Sequence, residues 1–353
     1  MKTVNNQSLN GDDMTARKGA HIRLSLDDRS QCDFSVFNQY RLPYMALPEI
    51  ALVDVDSSFN LFGMLINAPL IIGSMTGGTE HGLSINTNLA IAAEQCGVAL
   101  ALGSQRIGLE SYDARETFKV VRKNAPNACV IANMGAVQLN YGHGIDSYRE
   151  VIDMVQANAL YLHINPLQEA LQPGGDSDFR GLLSKIEELV RVTNVPIFVK
   201  EVGNGINGVI AEALFDVGVR GVDVAGVGGT SYSWIEAERD QNEDFKKWFK
   251  TYGIPSDLAI IQAAAAKKHS DQLIIASGGI RSPIDGLKAH ALGADLFSAA
   301  VPFLAPAIES VEKVIQQLDN WKRGLKIAMF ASGAINWKAA KNLELTASQE
   351  LTN

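Results

Sequence analysis

The chain is poor in cysteine, in long apolar runs and in positive charge. Its three cysteines are Cys32, Cys96 and Cys129. An odd count with no metal-ligand spacing argues against a disulfide framework and suits a reducing compartment. No run of about 18 apolar residues occurs, the length a membrane-spanning helix needs. The nearest candidate, 291–308, is broken by Asp295, Pro302 and Pro306, so no membrane span is expected. The opening MKTVNNQSLNGDDM lacks the apolar centre of a secretory signal, and a cytoplasmic location is the expectation. The formal net charge is −8, opposite in sign to a generic nucleic-acid binder. A few local Arg and Lys residues can still dominate a closed pocket, so an anionic small molecule stays open as a partner. A Ser- or Pro-rich linker and an internal repeat are both missing, so nothing divides the chain into two halves.

Glycine, in contrast, is plentiful, with 31 among 353 residues. That favours tight turns and loops where backbone comes close to a ligand. Residues 1–60 read as a polar, irregular extension. From about residue 68 onward, short apolar runs alternate with helical patterns. The runs fall at 69–73, 98–102, 128–132, 160–164, 196–200, 221–225, 272–276 and 294–298. Continuous apolar runs of this length fit parallel strands buried on both faces. Helical spacing is seen at 84–96, 146–157, 178–192, 208–217 and 257–268, and the tail 305–336 reads as helical and is expected to cap the barrel. Eight strands alternating with helices predict a (β/α)8 barrel over 61–353, preceded by the 1–60 extension.

In such a barrel the active site lies at the C-terminal strand ends. The residues following the eight runs are small or polar. They are Ser74-Met75-Thr76-Gly77-Gly78-Thr79; Gly103-Ser104-Gln105-Arg106; Asn133-Met134-Gly135; His163 with Asn165-Pro166-Leu167-Gln168-Glu169; Lys200-Glu201; Gly226-Val227-Gly228-Gly229-Thr230-Ser231; Ser277-Gly278-Gly279-Ile280-Arg281; and Ala299-Ala300. Any one cluster could be a turn, but eight at the same end of eight strands point to a shared site. Loops after the seventh and eighth strands are the usual phosphate site of the fold, and exposed backbone N–H groups beside a helix start attract phosphate. Lys200 ends an apolar strand and needs an anionic or carbonyl partner. It suits the electron-rich side of a reduced flavin, or else a salt bridge to Glu201 or another strand-end acid.

These motifs carry a family resemblance. RKGAHI (17–22), LPEI (47–50), SMTGGT (74–79), GSQR (103–106), NPLQE (165–169), VKEVGNG (199–205), GGTS (228–231) and SGGIR (277–281) occur in order along the chain. The pattern resembles the type II, FMN-dependent isopentenyl diphosphate isomerases from about residue 17 to 335. SGGIR alone is shared by many FMN barrels; NPLQE, SMTGGT and the N-terminal RK pair are more specific.

The resemblance implies interconversion of isopentenyl and dimethylallyl diphosphate by an allylic 1,3-proton shift. It implies reduced FMN as the acid/base, NADPH or NADH as reductant, Mg2+ on the diphosphate, and a homo-oligomer of four or more chains. Carried over, Arg17, Lys18, Ser104, Gln105 and Arg106 would grip the diphosphate, with His21 beside them. Gln168 and His163 are the candidate catalytic side chains; Gln168 would contact the substrate, and His163 with Asn165 would orient it. Glu169 would bind Mg2+. Ser74, Met75, Thr76, Gly77, Ser104, Asn133, Lys200, Thr230 and Ser231 would hold the flavin ring and chain. Gly278, Gly279, Ile280, Arg281, Ala299 and Ala300 would hold its phosphate end. The rival readings are an FMN-dependent α-hydroxy-acid oxidase or dehydrogenase, an inosine-monophosphate-dehydrogenase-like barrel, and a flavin- or phosphate-binding protein without activity. The first needs an active-site His before strand seven and the second a catalytic Cys on a loop. Residues 245–268 hold no such His motif, and neither Cys96 nor Cys129 falls on a candidate loop.

Overall fold

In the computed structural model, residues 11–347 are described, with side chains from residue 18 onward. All eight apolar runs form strands. They are β1 (Leu70–Ile72), β2 (Ala99–Ala101), β3 (Val130–Gly135), β4 (Ala159–His163), β5 (Ile197–Lys200), β6 (Gly221–Asp223), β7 (Leu273–Ala276) and β8 (Leu296–Ala299). They pair in parallel and in chain order, and β8 closes on β1 through Phe297 opposite Leu70. A sheet closed on itself leaves no unpaired edge.

Period-two alternation sorts each strand into two cores. Ile72, Leu100, Val130, Leu160, Val199, Val222 and Ile274 face outward and pack under the helices. Ile71, Ala101, Ile131, Tyr161, Phe198, Ile275 and Leu296 face inward and fill the barrel. A hairpin of Phe59–Leu61 and Met64–Ile66 lends Leu61 and Ile66 to that interior, alongside the first residues of several strands, and so plugs the N-terminal end. Phe62 meets Phe198 edge to face at 5.3 Å.

The helices sit where the apolar spacing places them, with ends set by local chemistry. Glu80–Cys96 starts at Thr79, whose hydroxyl accepts from the Gly82 N–H at 3.0 Å, and stops at Gly97 with φ +66°. The predicted helix 178–192 begins only at Leu182, after Gly181 at φ +64°. This leaves 172–181 as a loop over the strand ends.

Two expectations are corrected. The tail forms two helices, Val301–Glu309 and Val311–Ala331. Both pack along the flank against Glu80–Cys96, with Trp321 on Phe303, and the first starts at the barrel mouth, where Val301, Pro302 and Leu304 line the cavity. The N-terminal extension, read as irregular, contains the helix Gly11–Ser25. Among its described side chains, residues 18–25, the apolar contact is a short patch: Leu24 packs against Trp234 and Ile235, and Ile22 against the main core. Tertiary docking, not intrinsic propensity, accounts for such a helix. Among the described residues, no helix is long and apolar enough to cross a membrane.

Candidate active site

The alternation that fills the barrel also builds the site. Two residues beyond each inward-facing core position comes the next inward position: Gly73, Gly103, Asn133, His163, Lys200, Asp223, Ser277 and Ser298. All eight line one cavity of about 300 Å3, large enough for a cofactor-sized ligand. An apolar floor of Tyr161 and Phe198 therefore gives way, one pleat higher, to a polar ring. His163, Lys200 and Asp223 are paired neighbours in the strand register, across β4, β5 and β6.

Within this ring the hydrogen bonds settle the protonation of His163. The Asn133 Nδ2 donates to the Leu102 carbonyl at 2.8 Å, which turns Oδ1 toward His163 Nδ1 at 2.9 Å. Nδ1 therefore carries the hydrogen, and Nε2 is an acceptor. Burial, with Lys200 and Arg106 nearby, holds the imidazole down to about 3, so it is neutral at pH 7.

Lys200 Nζ donates to the Glu201 backbone carbonyl at 2.6 Å. The Glu201 carboxylate is turned away and accepts from the N–H groups of Val202 and Gly203, at 2.7 Å each, and of Asn204. Burial lowers the Lys200 ammonium from its ordinary value, against the pull of Asp223 and Glu201. Burial raises Asp223, against Lys200 and a hydrogen bond from Ser277.

At the rim, the N-terminal helix presents Lys18, His21, Ile22 and Ser25 to the cavity, a spacing that shares one helix face. Lys18 Nζ donates to the Gly77 carbonyl at 2.5 Å. His21 Nε2 and Gln168 Nε2 both lie 2.9 Å from Glu236 Oε1, while Arg239 pairs with Oε2. Burial pushes Glu236 up, but the donors from His21, Gln168 and Arg239 outweigh it and hold it at about 2. Asn165 Nδ2 donates to Gln168 Oε1 and to Glu169 Oε1, each at 3.0 Å. NPLQE thus fixes its own polar side chains before any ligand arrives.

Most sequence-derived candidates meet on this cavity: Lys18, His21, Ser74, Met75, Thr76, Ser104, Arg106, Asn133, His163, Asn165, Gln168, Glu169, Lys200, Thr230, Gly278, Gly279, Ile280, Arg281, Ala299 and Ala300. Three do not reach it. Gln105 is fully buried in the wall, donating to the Val151 carbonyl and accepting from the Asn133 N–H, each at 3.0 Å. Gly77 lies behind the wall, where an added Cβ would sit 2.1 Å from the Phe118 ring. Ser231 caps the helix Tyr232–Arg239 by accepting from Trp234 N–H at 3.1 Å. The Arg17 side chain lies outside the described residues.

Sequence reasoning passed over Asp223, Ser298, Gln31, Gln138 and Glu236. The period-two rule applied one residue pair further would have found the first two. Gln31, which accepts from Arg281 at 3.1 Å and from Thr230 at 3.2 Å, and Glu236 carry no local signal.

The cavity fits a phosphate-bearing cofactor. Gly278 and Gly279 adopt φ +87° and +88°, and a Cβ on Gly229 would stand 2.6 Å from the Gly279 nitrogen, so two backbone strands approach as only glycine permits. The Ser74 and Thr76 hydroxyls are buried without a hydrogen-bond partner, as groups awaiting a ligand would be. Ala299 and Ala300 lead into the helix Val301–Glu309 at the same wall. No cluster of three His, Cys, Asp or Glu residues able to hold a metal occurs among the described residues. Glu169 stands there as a single carboxylate, which suits an ion completed by ligand oxygens and water.

The comparisons agree with this geometry. The FMN-dependent dehydrogenase family matches residues 166–346. A mandelate oxidase structure superposes with a TM-score of 0.63 at 17% identity, covering 96% of this chain and 97% of that one. A Pediococcus acidilactici (putative) lactate oxidase gives 0.65 at 16% identity, covering 97% and 95%. At such identity they establish the fold alone, a closed (β/α)8 barrel. Closer in sequence are proteins named isopentenyl-diphosphate delta-isomerase. The one from Nostoc sp. is 46% identical over 86% of this chain and 87% of its own length. The one from Stutzerimonas stutzeri is 39% identical over 95% and 98%. The chain belongs to the isopentenyl-diphosphate delta-isomerase family and is an enzyme of that family.

Proposed function

We propose that the enzyme interconverts isopentenyl and dimethylallyl diphosphate by moving one proton across the allylic system, with FMN kept reduced and Mg2+ on the diphosphate. The observation that carries this reading is the joining of two kinds of residue on one cavity. A flavin-type floor of Lys200 and the glycine cradle faces a rim bearing Lys18, His21, Arg106 and the NPLQE carboxylate Glu169. An oxidase of hydroxy acids has no use for that rim.

FMN would be held by Ser74, Met75, Thr76, Ser104, Asn133, Lys200 and Thr230 along the ring and chain, and by Gly278, Gly279, Ile280, Arg281, Ala299 and Ala300 at the phosphate. When bound and reduced, with NADPH as the proposed reductant, it supplies the proton exchange at the alkene. Lys200, an ammonium beside the ring, would stabilise negative charge there. Arg106 and Lys18 would bind the diphosphate, Arg106 through a planar fork, and Glu169 would complete the Mg2+ shell. Gln168 has its amide oriented by Asn165 and Glu236 and would fix the alkene end. His163, neutral and with Nε2 as acceptor, would orient the substrate without adding charge.

The competing hydroxy-acid chemistry needs a histidine base near its working pH. His21 and His163 are the histidines on the cavity wall, His163 is held far below neutrality, and His269 is exposed in a turn outside the cavity. The test is an anaerobic incubation with reduced FMN, Mg2+ and isopentenyl diphosphate beside parallel incubations with lactate, glycolate and mandelate. Dimethylallyl diphosphate with no hydroxy-acid oxidation is expected. Oxidation of a hydroxy acid with no allylic product would reverse the reading.

A further inference from the structure

Arg106 opens the short helix Arg106–Glu110 after β2, and it does not stand alone. Its Nη1 donates to Gln138 Oε1 at 3.0 Å and to Asp176 Oδ2 at 2.9 Å. Gln138 Nε2 donates to the same Asp176 oxygen at 2.8 Å. The three side chains close a triangle.

Asp176 also reaches the other way. Its backbone N–H donates to Glu169 Oε2 at 2.8 Å. The preceding residue explains how the loop gets there: a Cβ on Gly175 would lie 2.1 Å from the Glu169 carbonyl oxygen, so only glycine lets the loop cross so closely. One residue of the 172–181 loop therefore links the cation expected to grip a phosphoryl group with the carboxylate expected to hold the metal.

The edge of the guanidinium that is used decides what Asp176 does. Both hydrogens of Nη1 are committed to Gln138 and Asp176. Nε and Nη2 have no protein partner among the described residues, and this side-on edge is one that grips a phosphoryl fork in two parallel bonds. Asp176 does not occupy the ligand's place. It holds the guanidinium by the opposite edge and leaves the binding edge free. The side chains of Arg106 and Asp176 are each 23% exposed, buried enough to be ordered and open enough for the ligand to reach.

We propose that Asp176 is a positioning residue for the diphosphate. It locks Arg106 in its binding rotamer and ties that rotamer to Glu169, so that the anion grip and the metal carboxylate form one preset unit. The inference rests on the reading of Arg106 as a diphosphate ligand given above.

The experiment compares FMN-loaded wild type with D176A, D176N, R106Q and the double variant R106Q/D176A. It measures kcat, KM for isopentenyl diphosphate, and inhibition by inorganic diphosphate with Mg2+. Calorimetric binding of inorganic diphosphate gives a readout independent of turnover, and melting temperature with flavin content reports folding. D176A is expected to raise KM and weaken inorganic diphosphate about five-fold or more, with kcat falling far less. D176N, whose amide oxygen can still accept from Arg106 and Gln138, should lose less. The double variant should be no weaker than R106Q, because Asp176 acts only through Arg106. Tighter diphosphate binding in D176A would overturn the inference, since Asp176 would then be a competitor for Arg106. So would losses that add, or an unchanged KM in D176A when R106Q raises it. A wild-type KM in R106Q would remove the diphosphate reading itself, and the inference with it.

Discussion

His21 and Glu236 stand 2.9 Å apart although 215 positions separate them in the chain. The N-terminal helix is fastened to the barrel mouth through this contact, and the same Glu236 oxygen accepts from Gln168. Glu236 has no solvent exposure, so its carboxylate is committed to three donors: His21, Gln168 and Arg239. A Glu236→Gln variant keeps the shape but turns an amide N–H toward one of those donors. We expect a stability loss of about 1–3 kcal/mol from the unmatched buried group. We also expect kcat to fall about a hundred-fold, the lower end of what a positioned proton-transfer group contributes, because Gln168 and the helix lose their common anchor. Chemical denaturation and steady-state kinetics measure the two effects separately. Wild-type kcat in a folded Glu236→Gln protein would dissociate Gln168 from its proposed role.

Lys200 should matter first for the cofactor. Lys200→Ala removes the buried ammonium at the cavity floor and leaves Asp223 beside it without a counter-charge. FMN should bind more weakly, or turnover should cease, and the reduction potential of the bound flavin should fall because its reduced form loses a cation. Flavin titration and a potential measurement decide it; unchanged affinity, potential and activity would reject the assignment.

Acid titration gives a third expectation, with a definite sign. His163 is held at about 3, below its ordinary 6.5, by burial, Lys200 and Arg106. Between these values the unfolded chain takes up a proton that the folded protein refuses. Stability from this group is therefore present above pH 6.5 and lost as pH falls toward 3. A His163→Gln variant should show a shallower decline of denaturation midpoint over that range. Parallel curves for the two proteins would mean that His163 is not held neutral.

Glu169→Gln should raise the Mg2+ concentration needed for half-maximal activity several-fold, because the amide offers a neutral oxygen where a carboxylate stood. The amide oxygen can still accept from either Asn165 or the Asp176 N–H, while the other donor faces an amide N–H, so a stability loss of about 1–3 kcal/mol is expected beside the metal effect and is measured separately by chemical denaturation. An Mg2+ titration superimposable on wild type would exclude Glu169 as the ligand.

The barrel was legible because eight buried parallel strands leave eight apolar runs, and the ends of each run fell within three residues of its observed strand. The strand-end clusters were legible for the same reason: Lys200 and His163 interrupt apolar runs, and glycine pairs punctuate the loops. What stayed hidden depends on contacts between distant segments. Gly11–Ser25 has too little apolar periodicity to announce a helix, yet Leu24 and His21 dock it against Trp234 and Glu236. Gln105 sits between Ser104 and Arg106 in GSQR, but the turn after β2 sends only the outer two to the cavity, while Gln105 braces the wall. Adjacency in a motif does not fix direction; backbone geometry does. Asp223 lies inside the run 221–225, where its place opposite Lys200 emerges only from the strand register.

The central claim is a proton shift on reduced flavin with no net redox change. It is tested most directly by following isopentenyl diphosphate in 2H2O by NMR, anaerobically, with FMN reduced by less than one equivalent of NADPH per substrate. The account predicts many turnovers to dimethylallyl diphosphate, deuterium in substrate and product, and a flavin spectrum that stays reduced throughout. Product limited to the reducing equivalents supplied, or a flavin that reoxidises in step with turnover, would contradict it.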